Sequence, residues 1–240
     1  RTSQRAQSIL QVRGMRRHQT VASFAVLLLS KGAHPFRSTG IRRHISSTTI
    51  LNMSSAKRVL VPIADDSEEI ETTCIQDTLK RFGADVVVAS VKQDGDLVCK
   101  MSRGIKIMAD VSIDEAAKQE WDCIALPGGM PGATRLRDSS PLMDLLEKQR
   151  EAGKLYGAIC AAPAVVLASK GWLGEGATGY PAEAFLSKMD KPSSDDVVVQ
   201  SNVVTSKGPG TALKFGLALG EYLYGKEKAS QIAAEMLVEA

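Results

Sequence analysis

Histidine is missing from most of this chain. Its three histidines, His18, His34 and His44, lie in the first 53 residues, and residues 54–240 contain none. Within the longer segment that excludes a Cys–His dyad, a Ser–His–Asp triad and a histidine-ligated zinc site. Acid is missing from the other part. Residues 1–53 carry nine Lys or Arg and no Asp or Glu, whereas residues 54–240 carry 21 basic residues against all 27 acidic ones, a net charge of −6. The overall charge of +3 therefore averages two unlike segments. A nucleic-acid partner is not expected, because the basic residues fall outside the segment expected to fold. The four cysteines, Cys74, Cys99, Cys123 and Cys160, include no C-x-x-C pair, so free thiols in a reducing compartment are expected. No run reaches the ~18 apolar residues of a membrane span, and no membrane partner is expected.

Residues 1–53 read as a targeting leader, rich in Arg and Ser and free of acid, as mitochondrial and plastid transit peptides are. The apolar run Val21–Leu29 behind Arg16 and Arg17 also allows a bipartite signal with a secretory first part. Met53, directly before the first apolar strand, allows a third reading, in which translation starts there and the product stays in the cytoplasm. The chain opens on Arg1, so a fragment or processed product is expected.

The rest is organised around Leu155-Tyr-Gly-Ala-Ile-Cys160-Ala-Ala-Pro163. Leu155–Ile159 reads as a buried strand, Cys160 as a sharp turn, and Ala161 to about Lys170 as a helix. The neighbours of the turn are small (Gly157, Ala158, Ala161, Ala162), as a strand that reverses into a helix requires. A thiol at a helix start faces unpaired N–H groups, which favour the thiolate. Two readings stand on this stretch alone: a nucleophile, or a small buried hydrophobe.

Around it, apolar runs alternate with helical patterns. Strands are expected at 58–64, 85–91 and 122–126, at 177–178, and in hairpins at 97–99 with 104–109 and 197–200 with 203–206. Helices are expected from Ser67 to about Phe82, from Ser112 to near Glu120, over 141–151, from Pro181, from Gly208 to about Tyr224, and over 226–237. This alternation predicts one α/β domain over residues 54–240, a doubly wound and mainly parallel sheet covered by helices on both faces. Such folds place sites at the carboxyl ends of strands. The loops 64–71 and 127–132 and the Cys160 turn all fall there.

Four motifs occur in order: Glu68-Glu69-Ile70-Glu71, Leu126-Pro127-Gly128-Gly129, Ala158-Ile159-Cys160-Ala161-Ala162-Pro163, and Thr205-Ser206-Lys207-Gly208-Pro209-Gly210-Thr211. Together they resemble the ThiJ/PfpI superfamily, in the branch of the parkinsonism-associated protein deglycase and its bacterial relatives. The resemblance implies a flavodoxin-like sandwich and a homodimer. It implies that Cys160 is the reactive cysteine, that Glu71 contacts its sulfur, and that Gly129 and Ala161 supply backbone N–H donors. Gly128, Tyr180 and Arg103 match pocket positions. Read without it, Glu71 is a helix-start carboxylate, Arg103 a solvated charge, and Tyr180 either pocket wall or packing. Tyr180 stands where much of the branch has histidine, which leaves Glu71 as the evident proton carrier. Cys99 is a candidate substitute for the family's second oxidation-prone cysteine. Cys74 and Cys123 are expected in the core, and Gly208–Thr211 as a tight structural turn.

The expected function is a cysteine-dependent, glutathione-independent glyoxalase and protein deglycase acting on small dicarbonyls and glycated proteins. The alternative is a non-catalytic redox sensor and stress chaperone that works through oxidation of Cys160. Neither needs a metal or organic cofactor, and none is expected.

Overall fold

A computed structural model describes residues 56–239; the expected leader lies outside the described residues. The first strand, β1 (Arg58–Ile63), is a continuous apolar run because it is buried on both faces and flanked by strands on both edges. Helix α1 (Glu69–Arg81) follows and starts where Glu68 accepts the Glu71 N–H at 2.7 Å. Then come β2 (Asp85–Ser90), the hairpin strands β3 (Val98–Lys100) and β4 (Lys106–Met108), the edge strand β5 (Val111–Ser112) and the short α2 (Ile113–Ala116). They are followed by β6 (Cys123–Leu126), α3 (Gly132–Arg137), α4 (Ser140–Glu151) and β7 (Leu155–Ile159). The remainder comprises α5 (Glu183–Leu186), β8 (Val197–Gln200), β9 (Val203–Ser206), α6 (Ala212–Tyr224) and α7 (Lys226–Glu235).

The main sheet has the order β5-β2-β1-β6-β7-β9-β8, parallel throughout except for β8, which pairs antiparallel with β9. This is the flavodoxin-like doubly wound arrangement expected. Alternate residues of β1 serve its two faces. Val59, Val61 and Ile63 join Ile75 and Leu79 of α1 and Phe215 and Leu219 of α6. Leu60 joins Leu142 and Leu146 of α4 and Val166 and Leu167 beyond the elbow. Each of these β1 side chains is 0% exposed and contributes on the order of 1.5–3 kcal/mol by leaving water. Among the described residues no helix is long and apolar enough to cross a membrane.

Several local expectations differ from what is observed. Beyond Cys160 the chain forms a π-helical turn, Pro163–Leu167, and a 3-10 turn, Ala168–Lys170, instead of a regular helix. Pro163 removes a donor, and the β-branched Val165 and Val166 weaken the α preference. Residues 177–178 form no strand: the Thr178 N–H goes to the Thr205 hydroxyl at 3.0 Å and its own hydroxyl to Ser193 O and Asp195 O. Helix α2 stops at Ala116, whose carbonyl accepts the Trp121 indole N–H at 3.1 Å. Helix α3 and strand β5 had no recognised signal. The hairpin β3–β4 stands apart from the main sheet, tied to it by Asp65 and Glu69. Asp65 accepts the Lys100 N–H at 2.8 Å, and Glu69 accepts the Arg103 N–H and the Ser102 hydroxyl, each at 2.8 Å.

Candidate active site

The chain runs from β1 outward to β2 and β5, then returns to the opposite side of β1 as β6. The sheet therefore has its switch point between β1 and β6, where doubly wound folds open a crevice. Glu71 follows β1, Gly128 follows β6, and Cys160 follows the adjacent β7.

Cys160 sits at φ 64°, a left-handed conformation that costs a non-glycine residue on the order of 1–3 kcal/mol. Neighbouring backbone holds it there: its N–H donates to Ser206 O at 2.9 Å and its carbonyl accepts the Tyr180 N–H at 2.8 Å. The thiol side chain is nearly buried, 8% exposed. Gly128 must be glycine, because a Cβ there would stand 2.7 Å from the Cys160 Cβ. Gly129 has φ 86°, and a Cβ on it would lie 2.7 Å from the Glu68 nitrogen. The turn after β1, the glycine loop and the elbow are thus packed backbone to backbone.

Glu71 is 0% exposed. Its Oε2 accepts the Gly128 N–H at 2.7 Å. Its Oε1 is buried and receives no well-formed hydrogen bond; the Cys160 thiol is the side chain close enough to bear on the carboxyl's titration. Burial pushes the Glu71 carboxyl up to about 7, against the pull of the Gly128 N–H and the Cys160 thiol, with the Glu68 carboxylate adding to the rise. Burial, then the Glu71 carboxylate, push the Cys160 thiol up, while the N–H groups of Gly129 and Ala161 pull it down. The two groups titrate as a pair that gives up one proton easily and the second with difficulty. Oε1 faces sulfur: with Glu71 ionised the Cys160 thiol donates to it, which helps to hold the thiol up at about 12, and with Glu71 protonated the carboxyl is itself a donor facing sulfur.

The other expected site residues are placed as follows. Tyr180 is joined to the elbow through its backbone. Its half-exposed ring meets Phe185 edge to face at 6.0 Å, and a Cβ on Gly208 would lie between that ring, at 3.5 Å, and the Cys160 sulfur, at 3.9 Å. Tyr180 is therefore both mouth and packing. Arg103 is exposed. Its backbone N–H is bound by Glu69, and its guanidinium makes no hydrogen bond or ion pair with the described residues. Cys99 is 0% exposed beside the Ser90 hydroxyl at 3.6 Å, with its thiol pushed up by burial, which overturns its reading as a substitute oxidation site. Cys123 is likewise sealed, while Cys74 is half-buried. Gly208–Thr211 is a structural turn in which the Thr211 hydroxyl accepts the Gly208 N–H at 3.1 Å and pairs with the Ser206 hydroxyl at 2.6 Å.

Two contributors escaped the sequence reading. Glu68 both caps α1 and places a carboxylate beside Glu71. Ser206 supplies the carbonyl that holds the Cys160 N–H. The run of carboxylates at 68–71 carried the signal for the first; the Thr205–Thr211 motif contains the second but does not reveal that its carbonyl reaches Cys160.

The sequence profile of the DJ-1/PfpI family matches residues 57–222. The chain is similar to the Arabidopsis thaliana protein named Protein DJ-1 homolog B, 47% identical over 184 residues that cover 75% of this chain and 41% of that protein. The chain thus spans less than half the length of that relative. It is also similar to the Caenorhabditis elegans protein named Glutathione-independent glyoxalase DJR-1.2, 36% identical over 183 residues, covering 75% of this chain and 96% of that one. Among solved structures, Toxoplasma gondii DJ-1 in oxidized form superposes with a TM-score of 0.73 at 48% identity, over 77% of this chain and 100% of that chain.

Proposed function

The chain belongs to the DJ-1/PfpI family, and from that premise we propose that it is a cysteine-dependent, glutathione-independent glyoxalase that also deglycates proteins. One observation carries the proposal: a thiol on a strained elbow faces a buried carboxyl oxygen that has no other donor. The Cys160 thiolate adds to the aldehyde carbon of methylglyoxal, and Glu71 gives its proton to the new alkoxide, which the Gly129 and Ala161 N–H groups also stabilise. Glu71, now a carboxylate, takes the hydrogen from the carbon bonded to sulfur and returns it to the neighbouring carbonyl carbon. The aldehyde carbon is thereby oxidised to a thioester and the ketone reduced to an alcohol. Water cleaves the thioester, releasing lactate and the thiol. On a glycated side chain the Cys160 thiolate displaces the amine from the adduct carbon, the amine leaves with the Glu71 proton, and the resulting hemithioacetal follows the same route to lactate.

The test is lactate formation from methylglyoxal by the full chain without glutathione. We expect turnover in wild type and none in Cys160→Ala or Glu71→Gln. Lactate from both variants, or none from wild type, overturns the proposal. A second reading, an oxidation sensor and stress chaperone, is favoured by the same N–H pair at the sulfur, which suits sulfinate oxygens as well, and by a related structure described as oxidized. A homodimer is proposed on the resemblance; exposed Ile70, Ile105 and Met108, on α1 and the hairpin tied to it, supply apolar surface for it. Residues 1–53 are proposed as an organelle leader, with cytoplasmic residence if translation starts at Met53.

A further inference from the structure

A second cleft opens at the carboxyl ends of β1 and β2. It encloses about 540 Å³, the size of a small-molecule site. Its floor is Ala64, Val91, Ile113 and Pro141, and Arg135, Ser139 and Ser140 form one polar wall. The turn after β1 separates it from the active site: Asp65 lines this cleft, while the Asp66 and Ser67 backbone backs onto Gly129 and Gly132.

Three features of that wall ask for an occupant. Ser139 stands at the N-cap of α4, yet its hydroxyl does not cap the helix and makes no hydrogen bond with the described residues, although the residue is only 8% exposed. A serine at an N-cap ordinarily gives its oxygen to its own helix; here the oxygen is left for the cleft that the residue lines. Helix α4 is 12 residues long, and its start, Ser139, Ser140 and Pro141, lines the same space; Pro141 has no N–H, so the positive dipole end is presented there by the N–H groups of its neighbours. Arg135 anchors itself through Nη1 alone, on Asp65 O at 2.8 Å and Asp66 Oδ2 at 2.6 Å. Its Nε and Nη2 make no hydrogen bond with the described residues, which leaves one edge of the guanidinium for a two-pronged grip on an oxyanion.

The carboxylates in the cleft narrow the ligand class. Asp65 is answered by Lys92 at 3.7 Å and Asp138 by Arg137 at 2.8 Å. Asp94 and Asp114 line the cleft without a cation partner among the described residues. A bare anion would meet their charge uncompensated. A short carboxylate with a donor on the next carbon satisfies both walls.

We propose that this cleft binds a small carboxylate bearing a hydroxyl or ammonium group on the adjacent carbon. The carboxylate lies on the Ser139 hydroxyl, the start of α4 and the Nε–Nη2 edge of Arg135. The adjacent donor faces Asp94 or Asp114. The assignment stands independently of the chemistry proposed for Cys160.

The test is an amide NMR titration of the full chain with L-lactate, L-alanine and acetate in turn. Lactate or alanine is expected to bind in the millimolar range and to move the amides of Ser139, Ser140, Leu142, Ala64 and Asp65, with about tenfold weaker binding in Ser139→Ala and in Arg135→Gln. Ser139→Ala removes a hydroxyl that makes no hydrogen bond with the described residues, so the fold is kept. Binding of lactate alone identifies a hydroxy acid, and of alanine alone an amino acid. Silence toward both up to about 50 mM overturns the proposal. So does unchanged affinity in both variants, equal binding of acetate, or shifts confined to Gly128, Gly129 and Ala161.

Discussion

Replacing Glu71 by Gln is expected to remove a pH dependence of stability whose size follows from the site. Holding the carboxyl at about 7 instead of its ordinary 4.5 makes ionisation in the folded chain cost ~3 kcal/mol more than in the unfolded chain. Glu71 is fully buried, so solvent screening takes little from that figure. The sign follows from proton counting: between these values the folded state holds a proton that the unfolded state has lost, so stability falls as pH rises. Wild type is therefore expected to be about 2.5 kcal/mol more stable near pH 5 than near pH 8 from this group, with the loss steepest midway between the two values, at about pH 6, and nearly complete by about pH 7.5. In Glu71→Gln the amide oxygen keeps the Gly128 N–H, and that component of the slope vanishes. Because Cys160 shares the proton, the comparison is made in both wild-type and Cys160→Ala backgrounds, by urea unfolding at the two pH values. An equal slope with and without Glu71 in the Cys160→Ala background would refute the assignment of a proton to the buried carboxyl. A slope of opposite sign would refute the burial argument itself.

Gly128→Ala forces a methyl group to within 2.7 Å of the Cys160 Cβ and 2.9 Å of Ile159 O, and is expected to cost about 1–3 kcal/mol by overpacking. It should also abolish lactate formation, both read on the same purified sample. Alkylation by iodoacetamide in the native state is expected to modify Cys160 first and Cys74 more slowly, and to leave Cys99 and Cys123 untouched until the chain unfolds, because the last two are 0% exposed. Peptide mass mapping reads the order, and early modification of Cys99 would count against its sealed position.

Local chemistry along the chain settles the central strands and the loops of the site. Continuous apolar runs marked β1, β2, β6 and β7, because strands buried on both faces have no polar alternation to offer. The small residues around Cys160 marked the elbow, and four motifs in order marked the family and the three loops of the site. Tertiary structure decided the rest. The irregular turns after the elbow depend on how Pro163 and the valines pack onto β7, and Thr178 left strand pairing because the Thr205 hydroxyl reached its N–H. Glu71 became a raised carboxyl because burial outweighs the stabilising N–H of Gly128, far along the chain, and leaves its other oxygen bare. Cys99, attractive by spacing, turned inward. The second cleft draws its lining from both sides of the sheet's crevice, from residues 64 to 141, and no stretch of the chain announces it. Protonation, accessibility and cleft shape are set by what surrounds a group in space, and those neighbours come from parts of the chain with no local pattern in common.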